Sequence, residues 1–189
     1  MKIYTRKGDD GTTGLLYGGR VSKHSAAIEV NGAVDEAQAM LGLARSEADP
    51  GSELDEILLG LERDLWVLMA EVATAPKNRA KLTAGASLVT GEMVTALEAQ
   101  IDSLTERFEM PTEFVAPGQN RASAALDVAR TVVRRAERDL TAAPPVPGSL
   151  VGAYLNRLSD LLWAMARWQE GEHVAMRSLG RATGEPGAS

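Results

Sequence analysis

The sequence contains no cysteine. This absence excludes disulfide bridges, thiolate metal sites and cysteine nucleophiles. No apolar run is long enough to span a bilayer, and the amino-terminal residues lack the apolar segment of a secretory signal peptide. We therefore expect a cytoplasmic protein with no membrane partner.

Histidine is also scarce, with only His24 and His173 in the chain. A ferritin-like di-metal bundle needs two Glu-x-x-His motifs, whereas this chain has one, from Glu170 to His173. Two histidines likewise give no basis for a serine-histidine-acid triad. The formal net charge of -6 argues against nucleic acid as a main partner.

The 189 residues fit one domain of ordinary size, and we predict that residues 1–189 form a single unit. Apolar residues recur at helical spacing in segments that begin near Ser22, Leu54, Val94, Leu126 and Val151. Connections rich in proline and glycine separate them, and no useful run has the period of a strand. The sequence therefore predicts an all-α five-helix bundle, with a glycine-rich loop over residues 1–20 and a mobile tail over residues 178–189.

The fourth helix contains the segment ARTVVRRAERDL. Helical spacing puts Arg130, Arg134 and Arg138 on one face, with Glu137 beside Arg134. The forked guanidinium groups suit phosphate oxygens, and several together can hold a polyphosphate. The alternative is a solvated helix face with internal Glu-Arg pairs.

The fifth helix contains the segment YLNRLSDLLW and carries a polar stripe. Asn156, Asp160, Trp163 and Arg167 lie on one side, opposite the leucine side. A comparable stripe on the first helix includes Asp35. These stripes indicate surfaces that face something other than the main core.

The opening segment YTRKGDDGTTGLLYGG has five glycines among its sixteen residues. Glycine permits backbone turns whose amides can point inward to form an anion nest, and Lys7 or Lys23 could add donors. The segment is no Walker loop, because the required Gly-x-x-x-x-Gly-Lys-Ser/Thr pattern is absent. A plain flexible terminus is the alternative interpretation.

Three segments resemble the signature regions of the PduO-type ATP:cob(I)alamin adenosyltransferases: YTRKGDDGTTGLLYGGRVSK, then FVAPGQ followed by ARTVVRRAER, and finally YLNRLSDLLW. Their order and spacing match over about residues 3 to 170. The resemblance implies a homotrimer of five-helix bundles with active sites between neighbouring subunits. Such enzymes transfer the 5′-deoxyadenosyl group of ATP to cob(I)alamin, which gives adenosylcobalamin and triphosphate.

The resemblance also assigns roles to individual residues. ATP binding falls on Thr5, Arg6, Lys7, Gly8, Thr13, Gly14, Lys23, Arg134, Arg135, Glu137, Arg138 and Asn156. Asp35 and Arg130 would pair across the subunit boundary, Asp160 would support that site, and Phe114 would pack under the corrin ring. Mg²⁺ would be held mainly by the ATP phosphates, so no protein metal site is expected.

The sequence departs from the family pattern near the expected corrinoid pocket. Ala116 and Gln119 flank the Pro-Gly pair where leucine and glycine are more frequent, and Asp127 replaces a common histidine. The chain has no aromatic residue after Trp168, so the resemblance gives no support for an aromatic closure over the corrin. These departures leave the residues assigned to the phosphates unchanged.

Other interpretations stay open at the level of sequence. The protein could store the finished coenzyme and hand it to an adenosylcobalamin-dependent acceptor enzyme. It could be a nucleotide-binding regulator that has lost the corrinoid chemistry, or a helical bundle that binds neither ligand. For the enzyme, an electron-donating reductase is a further expected partner.

Overall fold

The computed structural model describes residues 3–143 and 146–178. It contains five α-helices, which are α1 (Ala26–Arg45), α2 (Glu53–Val72), α3 (Gly91–Thr105), α4 (Arg121–Ala142) and α5 (Val151–Glu170). Two short 3-10 helices, Pro76–Lys81 and Met176–Ser178, follow α2 and α5. The five-helix prediction is confirmed. The tail predicted to be mobile falls, beyond Ser178, outside the described residues.

Side-chain caps explain where three of the helices begin. Ser52 accepts a hydrogen bond from the amide of Asp55 at the start of α2, as Thr90 does from Met93 in α3. Asn120 and Ser123 form a reciprocal capping box at the start of α4. Each cap satisfies backbone amides that lack a partner within the helix.

A small antiparallel hairpin precedes the bundle. The prediction of a loop over residues 1–20 missed this hairpin. Strand β1 (Thr12–Gly14) pairs with β2 (Arg20–Ser22), and Thr13 lies opposite Val21. The first helix consequently starts at Ala26 rather than near Ser22, because β2 takes up the residues before it.

The core is formed by the apolar faces of the helices, with α4 packed closely against α1 and α5. Its largest fully buried side chain is Tyr154, whose hydroxyl donates to Asp64 at 3.1 Å. Burial raises the pKa of the Asp64 carboxyl above its ordinary value. Among the described residues, no helix combines the length and apolar character needed to cross a bilayer.

Candidate active site

Arg20 holds the glycine-rich segment in shape. Its Nε donates to the Thr12 hydroxyl at 2.8 Å, and its terminal nitrogen donates to the carbonyls of Lys7 and Thr12. Asp10 completes this arrangement, since its carboxylate accepts from the amide and the hydroxyl of Thr12. These hydrogen bonds hold the pKa of Asp10 below its ordinary value. The segment is therefore an organised turn and not a plain flexible terminus.

Lys23 lies against this turn. A Cβ added at Gly8 would come 3.3 Å from the Lys23 ammonium nitrogen and 3.3 Å from the Thr12 carbonyl oxygen. The amide of Lys23 also donates to the carbonyl of Gly11, which has a φ of +79°. Glycine at position 8 thus lets a cation approach the backbone closely, as an anion-binding turn requires.

The hairpin is held by the chain that follows α2. The Leu16 amide donates to the Ala73 carbonyl at 2.9 Å, and Asn78 donates to the Tyr17 carbonyl. Among the described residues, no hydrogen bond or ion pair joins residues 5–14 to α4. Within one chain, the two predicted parts of the phosphate site are therefore not linked directly.

Helix α4 exposes three arginines in its second half: Arg134, Arg135 and Arg138. Arg138 donates to the carbonyl of Arg134 at 3.0 Å, whereas Arg135 forms an ion pair with Glu36 of α1. The partner of Arg135 thus lies on another helix, so this ion pair is not one of the pairs internal to α4 that the alternative interpretation predicts. Arg134 and Arg138 make no ion pair among the described residues.

Glu137 and Asn156 join the second half of α4 to α5. The Asn156 amide donates to the Glu137 carboxylate at 2.9 Å, and Arg157 donates to the side-chain oxygen of Asn156. Glu137 also lines a cavity of about 740 Å³. The buried carboxylate of Glu71 faces this cavity and accepts from Arg79, Ser149 and the Val89 amide.

A second cavity of about 700 Å³ lies near the start of α4. Phe114 lines it and is 89% exposed, although its backbone is fixed. The Met176 amide donates to the Phe114 carbonyl at 2.7 Å, and the Ala116 amide donates to the Val174 carbonyl. The segment after α5 thus anchors the loop while the phenyl ring stays uncovered.

A charged cluster, which we define as Asp127, Arg130, Arg167 and Glu170, adjoins this second cavity, and its first three members line the cavity. The Asp127 carboxylate accepts from Arg167 at 2.5 Å and from Arg130 at 3.4 Å. Arg167 also donates to Glu170 at 2.9 Å. Burial raises the pKa of the Glu170 carboxyl, although the neighbouring Arg167 charge partly opposes that effect.

The prediction of a polar stripe on the fifth helix is wrong for Arg167, whose side chain is 4% exposed. Its guanidinium lies 5.7 Å from the centre of the Trp163 ring and between two carboxylates, so its charge is compensated inside the fold. Sequence reasoning did not group Arg167 and Glu170 with Asp127 beside this cavity. The available signal was Asp127, an acid among the buried alanines and leucine of α4.

Asp35 and Asp160 are exposed on α1 and α5. The part of the chain that the structure describes contains no hydrogen bond or ion pair between Asp35 and Arg130, and Arg130 contacts Asp127 through Nε. Thr5 accepts from the amide of Lys7, and Arg6 lies 5.5 Å from the centre of the Tyr4 ring.

Comparison with known proteins identifies the family. A sequence model of the cobalamin adenosyltransferase family matches residues 3–169. A corrinoid adenosyltransferase of Citrobacter freundii is 40% identical over 171 residues, which cover 89% of this chain and 95% of that protein. The corrinoid adenosyltransferase PduO of Salmonella typhimurium is 38% identical over 91% of this chain, which spans 51% of that longer protein.

A solved structure agrees with these matches. It is a variant PduO-type ATP:corrinoid adenosyltransferase from Lactobacillus reuteri complexed with cobalamin and ATP. The two chains are 27% identical and superpose with a TM-score of 0.82, over 93% of this chain and 97% of that one. The predicted resemblance is confirmed, and the chain belongs to the cobalamin adenosyltransferase family.

Proposed function

We propose that this protein transfers the 5′-deoxyadenosyl group of ATP to cob(I)alamin, at sites between adjacent subunits of a homotrimer. The observation that carries the proposal is Phe114, an exposed phenyl ring on a cavity lined by Arg130. An exposed ring of this size is a surface for an apolar partner, and the flat corrin offers one. In the Lactobacillus reuteri structure, the related protein is complexed with cobalamin and ATP.

The chemistry explains why the site needs no general base. Cob(I)alamin is itself a strong nucleophile, so a cobalt-carbon bond forms as the bond from the ribose 5′ carbon to its oxygen breaks. The electron pair of the broken bond leaves with the triphosphate. The protein must align cobalt with that carbon and stabilise the departing charge.

The triphosphate would lie between the turn at Gly8 and the exposed arginines of α4. Lys23 and the backbone amides of the turn supply donors on one side, and Arg134 and Arg138 supply them on the other. As the resemblance to the family implies, these two parts would come from neighbouring subunits. Asp35 and Arg130, which are likewise unlinked within the chain, would pair across the same boundary.

Mg²⁺ would enter with the nucleotide. The described residues include no group of three or more histidine, aspartate or glutamate side chains that could hold a metal ion. The triphosphate oxygens are suitable ligands, and the ion would neutralise part of their charge. The nucleotide site would be completed by Thr5, Arg6, Lys7, Thr13, Gly14, Arg135, Glu137 and Asn156.

Phe114 would act in the reduction that precedes transfer. Reduction of cob(II)alamin becomes easier when the lower axial ligand leaves cobalt, and an apolar ring can occupy the space beneath the corrin. We further propose that Asp160 supports the shared site. The proposed partners are an electron-donating reductase and an acceptor enzyme that uses the coenzyme. The proposed location is the cytoplasm.

A single assay tests the proposal. The purified protein is incubated with ATP, Mg²⁺ and chemically reduced cobalamin, while the absorption spectrum and the triphosphate product are followed. We expect the alkyl-cobalt spectrum and one triphosphate for each cobalamin converted, and neither without ATP. ATP binding with no change in the cobalamin spectrum would support the nucleotide-binding regulator instead, and binding of neither ligand would leave only a helical bundle.

A further inference from the structure

The charged cluster sits in an unusual position for four ionisable side chains. Two acids and two arginines lie at the contact of α4 with α5, and Asp127 and Arg167 are only 7% and 4% exposed. Removing charges from water is expensive, and replacing a buried ion pair with apolar residues is often neutral or stabilising. Stability alone therefore gives little reason for this cluster.

The contacts within the charged cluster run in one order, from the buried pair of Asp127 and Arg167 to Arg130. One terminal nitrogen of Arg167 donates to both Asp127 and Glu170, which ties Asp127 to α5. The other oxygen of Asp127 then contacts Nε of Arg130 at 3.4 Å. The cluster thus connects a buried ion pair to a partly exposed arginine on the cavity wall.

Only one edge of the Arg130 guanidinium is used in this contact. Among the described residues, no hydrogen bond or ion pair engages its two terminal nitrogens. Arginine presents its donors in a rigid fork, so a contact at Nε sets the direction of the terminal groups. The Asp127 contact therefore orients the Arg130 guanidinium and leaves its terminal nitrogens to donate to a second acceptor.

We propose that Asp127 is a positioning residue that holds Arg130 in its working orientation at the wall of the Phe114 cavity. This inference rests on the proposed function, since it takes Arg130 as part of the transferase site. Asp127 acts through Arg130, and Arg167 with Glu170 keeps it in place.

A double-mutant cycle tests this relation. Single-turnover rates of adenosylcobalamin formation are measured for the intact protein, Asp127→Asn, Arg130→Ala and the double variant. We expect Asp127→Asn to lower the rate on the order of tenfold, with the KM for ATP unchanged. In the Arg130→Ala background the same change has less than about a twofold effect, because the group it positions is gone.

Asp55→Asn is the matched control. Asp55 is 9% exposed and pairs with Arg45 at 2.7 Å, away from the cavity lining. Both asparagine variants lower the melting temperature, but only Asp127→Asn slows the reaction. Equal rate losses in the two variants, or independent losses in the cycle, would overturn the inference. If Asp127→Asn does not fold, Asp127→Glu takes its place in the cycle.

A crystal structure of Asp127→Asn separates this inference from the proposed function. We expect the Arg130 guanidinium to leave the position it holds beside residue 127, while the α4 and α5 backbones stay superposable. A guanidinium in its original place overturns the inference, whether or not the intact protein is active. Conversely, if the intact protein is inactive but Arg130 is displaced in the Asp127→Asn structure, only the proposed function is rejected.

Discussion

The two halves of α4 use arginine in opposite ways. In the second half, Arg134, Arg135 and Arg138 are exposed, and of these only Arg135 forms an ion pair with another described residue. In the first half, Arg130 joins a cluster whose other arginine is buried between two carboxylates. The first arrangement leaves cations available to a ligand, whereas the second fixes a cation in one direction.

The difference follows from solvation. An exposed guanidinium keeps its water until an anion replaces that water, so a surface arginine can bind phosphate without a large prior penalty. A buried guanidinium needs compensation at all times, and its partners then define its geometry. We therefore expect changes at the exposed end to alter mainly ATP binding, and changes at the cluster end to alter mainly the rate of transfer.

Arg130→Ala gives the largest expected effect. Loss of a positioned cation from the site lowers kcat by roughly 10²- to 10³-fold, while the KM for ATP changes little. We also expect the proposed trimer to dissociate at a higher protein concentration, because Asp35 of the neighbouring subunit would lose its proposed partner. Steady-state kinetics and analytical ultracentrifugation check both parts, and a fully active variant would count against the shared site.

Phe114→Ala is expected to have the next largest effect and to depend on the oxidation state supplied. When the assay starts from cob(II)alamin with a reductant, we expect the rate to fall by at least about tenfold, since the apolar ring proposed to lie beneath cobalt is gone. The loss is smaller with cob(I)alamin prepared in advance, and ATP affinity is unchanged. Equal losses from both starting forms would place Phe114 outside the reduction step.

Arg138→Ala tests the exposed second half of α4, where we expect ATP binding to be affected more than the rate. Removing one charge-assisted contact to phosphate raises the KM for ATP by about tenfold, with a smaller change in kcat. Arg121→Ala removes an exposed arginine at the start of α4 that pairs with Glu47 at 3.8 Å, and it serves as the surface-charge comparison for stability. A kcat loss at Arg138 as large as that at Arg130 would remove the distinction between the two halves.

Gly8→Ala gives the smallest expected effect. The added Cβ lies 3.3 Å from the Lys23 ammonium and from the Thr12 carbonyl, so both must shift by a few tenths of an ångström. We expect the KM for ATP to rise by only about two- to fivefold, since the lysine side chain can move. Gly60→Ala, at an exposed helix position with no atom nearby, serves as the control.

Helical periodicity was sufficient to predict the five helices and the bundle. The spacing of leucines in α2 and of alanines and valines in α4 corresponds to the buried faces of those helices. The hairpin could not be predicted in this way, because strands of three residues are too short to show a period. Its pairing also depends on Arg20, whose partners lie 8 to 13 residues away in sequence.

The candidate site was predictable where its residues act from one helix face. Arg134 and Arg138 lie on an exposed face of α4, as their spacing indicates. Arg167 was misplaced, because its burial depends on Asp127, 40 residues away on another helix. A charge that is compensated across two helices leaves no periodic signal in either one.

The most direct test of the account is the position of the triphosphate in a crystal structure with ATP and Mg²⁺. The account predicts that the phosphates lie between the turn around Gly8 and Lys23 of one subunit and the Arg134 and Arg138 face of its neighbour. A triphosphate bound away from both elements, or contacting only one isolated subunit, would contradict it.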